Sequence, residues 1–169
     1  MRNPMPSVVI CVVSASIVGC AGGEAVTVAS LQAAQAKWRA AGLADYDLVW
    51  RSSGARPGTY RVFVRGGEVK AIYTRHEGRE IPAKPGQPRF YGVDGLFLTI
   101  AEDLAQLDQP LPFGKPRGTS VVMRFEPDPA LGYPRTYVRD VSGSMQGISV
   151  EVLSLERSTA EIPPPIGVR

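Results

Sequence analysis

The sequence predicts an α+β domain: a mainly antiparallel sheet of about six strands, with two helices packed on one of its faces. Three observations carry that expectation. Two segments place apolar residues at spacings of three and four, several others alternate apolar and polar positions, and the alternating segments are joined by hairpin-length links. The predicted order is helix, three strands, helix, three strands. A length of 169 residues suits a single domain, and 44% apolar with 21% charged residues argues against a mainly disordered chain.

The chain begins MRNPMPSVVICVVSASIVGC. A positive start (the amino terminus and Arg2), an apolar run from Val8 to Val18 and a small-residue end are the order of an export signal. Eleven apolar-run residues fall well short of the roughly 20 that a spanning helix needs. Residues 1–19 are therefore read as a signal peptide, 20–28 as a modified terminus and tether, 29–157 as one α+β domain, and 158–169 as a Pro-rich tail.

The folded elements follow in order. Ser30 is positioned to cap a helix running through Ala41, with Gly42 as its terminator and Leu31, Ala34, Trp38 and Ala41 as its apolar stripe. Tyr46 to Trp50 alternates as a strand. Thr59–Arg65 and Glu68–Thr74 form a hairpin around Gly66-Gly67, a pair suited to a primed turn. Tyr60, Val62 and Val64 point one way from the first of these strands, and Arg61, Phe63 and Arg65 the other. Val69, Ala71 and Tyr73 share one side of the second.

Residues 76–93 hold three prolines and three glycines, so they read as a long irregular loop. Asp94 is placed to cap the second helix, with Leu96, Phe97, Ile100, Leu104 and Leu107 buried and Glu102 and Asp103 opposite. After a breaker-rich stretch at 108–118, strands are expected at Thr119–Glu126, Tyr133–Val141 and Gly147–Leu155. Pro134 must begin its strand, lie on an edge or face outwards, because it has no amide hydrogen to donate. The tail IPPPIGVR can continue neither sheet nor helix.

Ile17-Val18-Gly19-Cys20 resembles the lipobox of bacterial lipoproteins. That resemblance implies diacylglycerol transfer to the Cys20 thiol, cleavage before it, and acylation of the new terminus. Two or more acyl chains hold a protein stably, at about 0.8 kcal/mol per buried methylene. The expected location is the bacterial cell envelope. In a Gram-negative cell the lipoprotein sorting rule, with Ala21 and no aspartate after the cysteine, points to the outer membrane, facing the periplasm. Cys11 would leave with the signal, so no disulfide is available to the domain.

Further landmarks resemble bacterial secreted proteins and lipoproteins catalogued as domain of unknown function 6174. They are Trp38 followed by Asp45-Tyr46, the hairpin Val62-Phe63-Val64-Arg65-Gly66-Gly67, and the helix start Asp94-Gly95-Leu96-Phe97. Phe125-Glu126-Pro127, Gly132-Tyr133-Pro134 and Asp140 complete the set, which spans roughly residues 35–142. Arg51-Ser52-Ser53-Gly54 stands where members often carry cysteines. The resemblance implies fold and localisation, and no activity.

One histidine and two cysteines exclude a multi-imidazole site and a thiolate zinc cage, so no metal and no cofactor is expected. Nineteen basic against sixteen acidic residues is too small an excess to argue for nucleic acid. No catalytic residue is assigned. His76 beside Glu77 lacks a nucleophile in the sequence, and the pairs Asp103/Asp108 and Glu126/Asp128 read as a solvated helix end and a proline turn.

The candidate binding surface is Arg61, Phe63, Arg65, Tyr137 and Arg139, joined by Arg135. If their strands are neighbours, the helix-free face presents guanidinium and aromatic groups to an envelope protein or an anionic lipid. The competing reading is a solvated face with Glu68, Glu126 and Glu151 as cross-strand partners. The preferred function is a non-enzymatic envelope lipoprotein, a binding or structural module. The alternative is a small envelope hydrolase with its site near the 76–93 loop.

Overall fold

The computed structural model describes residues 23–167. The signal segment, Cys11 and Cys20 lie outside the described residues. Strand β1 (Glu24–Ala25) precedes helix α1 (Val28–Ala41). Four strands follow: β2 (Tyr46–Gly54), β3 (Gly58–Arg65), β4 (Glu68–His76) and β5 (Arg79–Pro82). A turn of 3-10 helix at Pro88–Tyr91 leads into helix α2 (Val93–Gln106). A second short turn at Pro112–Gly114 is followed by β6 (Val121–Pro127), β7 (Pro134–Val141) and β8 (Ile148–Arg157).

The α+β class and the antiparallel pairing are as the sequence predicts, but the count and the order differ. One sheet holds eight strands in the order β1-β6-β7-β8-β2-β3-β4-β5. The two additional strands are short and lie at the edges. β1 has only two residues and forms by pairing with β6, while β5 forms inside the expected loop by pairing with β4. Neither is long enough to show a period of its own, so each owes its strand conformation to its neighbour.

Both helix starts differ from expectation for reasons of hydrogen bonding. In α1 the cap is Thr27, whose Oγ1 accepts from the Ser30 amide at 3.0 Å while Ser30 Oγ accepts from the Thr27 amide at 3.0 Å. Ser30 is thus the far half of a capping box. Helix α2 has no cap from its own side chains. The Val93 amide donates instead to the Tyr46 hydroxyl of β2 at 3.1 Å, and Asp94 sits in the first turn, where its charge favours the helix dipole.

Leu31, Ala34 and Trp38 of α1, with Val93, Leu96, Phe97 and Ile100 of α2, share one core with Tyr46, Leu48, Val62, Val64, Phe125 and Tyr137 of the sheet. Trp38 meets Tyr46 edge to face at 5.5 Å, the anchoring role its stripe predicts. Pro134 opens β7 as its chemistry requires. A bulge in β4 opposite Phe63/Val64 breaks the expected alternation. Val69 pairs with Val64 on the helix side, while Ala71 pairs with Phe63 on the other face.

Candidate functional site

Between α2, the centre of the sheet and residues 85–91 lies a cleft of about 740 Å³. Its aromatic wall is Trp50, Tyr60 and Tyr91, whose ring centroids lie 4.6 to 5.8 Å apart. β2 and β3 set the first two opposite each other in register. The third is held by Trp50 Nε1, which donates to the Tyr91 carbonyl at 3.0 Å. Burial raises the Tyr91 hydroxyl above its ordinary value.

The opposite side is polar. Asp103 projects from α2 beneath the cleft and is nearly buried. Its Oδ2 accepts from the Tyr137 hydroxyl at 2.7 Å, and its Oδ1 pairs with Arg139 Nη1. Arg139 also donates from Nη2 to the Gln146 carbonyl at 2.8 Å and lies 4.7 Å over the Phe113 ring. Phe113 is held at φ 51°, a left-handed conformation that costs a non-glycine residue roughly 1–2 kcal/mol. Burial, and then the Asp103 charge, push the Tyr137 hydroxyl well above its ordinary value. Arg56, Gln87, Glu102 and Gln146 supply further polar lining.

The structure separates the residues predicted as one surface. Arg61, Phe63 and Arg65 do lie on the helix-free face, but β3 and β7 are not neighbours. Tyr137 pairs with Phe125 and Arg139 with Met123 on the helix side, so Tyr137 belongs to the core and Arg139 to the cleft. Phe63 is fully buried. Arg61 faces Glu80 at 3.5 Å, and Arg65 pairs with Asp47 at 2.8 Å. Arg135 lies 3.5 Å from Glu126. Glu68 pairs with Lys70 and Glu151 with Arg51, each at 2.5 Å, so the expected acidic residues do engage cations.

His76 and Glu77 stand in solvent, their side chains 75% and 84% exposed, and neither lines the cleft. Asp128 accepts from the Ala130 and Leu131 amides, the turn role expected of it. Asp103 is the residue that sequence reading misplaced. Its position seven after Leu96 and three after Ile100 lies on the buried stripe, a spacing that could have flagged it. Among the described residues no group of three potential metal ligands comes together.

Fold and site together define a two-helix, single-sheet α+β domain with an aromatic-walled cleft on its helix side. The model of a family of unknown function (DUF6174) matches residues 30–109, a little under half of the chain, and supports the resemblance seen in the motifs. The match runs from the first turn of α1 through α2, and so includes Trp50, Tyr60, Tyr91 and Asp103 but not Tyr137 or Arg139. No curated protein and no solved structure matches the chain.

Proposed function

We propose that this chain is a lipid-anchored protein of the bacterial cell envelope whose domain binds a small ligand in the α2–sheet cleft. The cleft carries the binding half of the reading. It has the size of a small-molecule site, with an aromatic wall facing a polar one, a combination that can hold and orient a ligand. The aromatic wall suits a planar or apolar ligand body, and Arg56, Gln87 and Gln146 suit its polar end. The Asp103–Tyr137–Arg139 network is hydrogen bonded and ion paired within the protein and acts as scaffold.

The anchor half rests on the lipobox-like Ile17-Val18-Gly19-Cys20. Attachment is assigned to acyl chains on Cys20; no helix among the described residues is long and apolar enough to cross a membrane. With Ala21 next, a Gram-negative host would place the protein on the outer membrane, facing the periplasm.

Two measurements test these halves separately. Metabolic labelling with a palmitate analogue should mark the wild-type chain and not Cys20→Ala; continued labelling of the variant refutes the anchor. Native mass spectrometry of the protein taken gently from envelopes should show a bound small molecule that is lost in Thr99→Trp, which fills the cleft. Ligand-free wild-type protein that turns over ester or amide substrates would favour the hydrolase instead.

A further inference from the structure

The helix-free face is crossed by the chain's own C-terminal segment. After β8 ends at Arg157, residues 158–167 run across β3, β4 and β5 in neither helix nor strand. Three backbone carbonyls, each three residues after the last, are held in turn. Arg65 Nη2 donates to the Ala160 carbonyl at 2.9 Å, the Tyr73 hydroxyl to the Pro163 carbonyl at 3.0 Å, and the Glu80 amide to the Ile166 carbonyl at 2.8 Å. Three is the repeat of a polyproline II helix, the spacing at which an extended segment presents one edge to a surface. Pro163-Pro164-Pro165 sets the required φ without further ordering cost.

The groove beneath this strap is built to receive it. Phe63 and Tyr73 lie on this face, packed at 5.4 Å and both buried, although neither belongs to the helix-side core. At the far end, Glu80 is a carboxylate only 1% exposed, and its Oε2 accepts from the Ile166 amide at 3.1 Å. Arg61 and Arg75 lie 3.5 and 3.7 Å from its two oxygens and offset its charge. A buried carboxylate is costly unless hydrogen bonded and paired, and here one of its partners is the strap itself.

We propose that the outer face of β3–β5 is a recognition groove for a proline-rich, extended polypeptide segment, which the C-terminal strap occupies in cis. The groove reads backbone carbonyls at every third position, takes prolines over Phe63 and Tyr73, and requires a free amide opposite Glu80. A partner is any protein segment with that pattern. The strap competes with it at an effective concentration on the order of millimolar, set by its short tether. It therefore acts as a gate on this surface.

The test uses the intact chain and a fluorescent peptide of residues 158–169, followed by polarisation. Ile166→Pro removes the amide that Glu80 holds, alters a half-exposed residue and leaves the groove untouched. It should free the strap and tighten peptide binding at least about tenfold over wild type, the weight of one charge-assisted hydrogen bond. Adding Tyr73→Phe to it should weaken binding severalfold. A peptide with glycine in place of its three prolines should bind at least about tenfold more weakly, having lost its preorganised φ angles. Absence of peptide binding by a folded Ile166→Pro chain, or equal binding of the glycine peptide, would overturn the proposal.

Discussion

The Tyr137 hydroxyl of β7 donates to Asp103 of α2 at 2.7 Å, and the other oxygen of the same carboxylate pairs with Arg139, two residues further along the strand. A helix and a strand 34 residues apart in sequence are thereby locked at the base of the cleft. Asp103→Ala leaves a nearly buried cation and a buried hydroxyl without their acceptor, and should cost about 3–5 kcal/mol. Tyr137→Phe, which removes one donor and no charge, should cost about 1.5–3 kcal/mol. Urea unfolding of the two variants measures both, and equal small losses would refute the ranking.

Trp50 ties the cleft's aromatic wall to the segment leading into α2 through the Tyr91 carbonyl. Trp50→Phe keeps an aromatic ring but removes the donor, and should cost about 1–2 kcal/mol. Hydrogen exchange should quicken in residues 87–92 while β6–β7 stays protected. Uniform quickening across the sheet would mean that the bond supports the whole fold rather than the wall.

Tyr46 makes stability sensitive to alkali. Its hydroxyl is pushed up to about 12, first by burial and then by the Asp94 charge, and it accepts the Val93 amide. Because the unfolded phenol releases its proton near pH 10, the unfolded state binds fewer protons above that point, and stability falls as pH rises. The contribution is whole below pH 10 and lost between 10 and about 12, worth roughly 2–3 kcal/mol at 1.36 kcal/mol per unit. Tyr137, shifted the same way, adds to the loss. Denaturation midpoints across pH 8 to 12 should show less decline in Tyr46→Phe.

Gly132 holds φ 82°, and an added Cβ would sit 2.5 Å from the Ala34 carbonyl oxygen of α1. Gly132→Ala therefore combines backbone strain with a contact against a helix that cannot easily move. It should cost more than about 1 kcal/mol, read as a lowered thermal midpoint. Gly66→Ala, also at positive φ but with open space around its Cβ, should cost less.

Local periodicity made much of the architecture legible. The stripe of α1, the Gly66-Gly67 hairpin and the opposed faces of β3 are all recovered, because each depends on residues within one or two turns of one another. The cleft was not legible. Asp103 reads as an exposed helix carboxylate until Tyr137 and Arg139 are known to face it. The supposed joint surface failed on topology, since β8 and β2 come between β7 and β3.

By itself the sequence determined the two helices and the six longer strands, the apolar faces of α1 and β3, and that the tail cannot enter a ladder. Those properties follow from side-chain spacing and from the φ restriction and missing amide of proline. Only the tertiary structure decided the strand order, the capping of α2 by Tyr46, and the partners of Asp103 and Glu80. Each of these joins groups distant in the chain, and the cost of leaving a buried polar group unpaired selects a partner by position in space, which spacing along the chain does not encode.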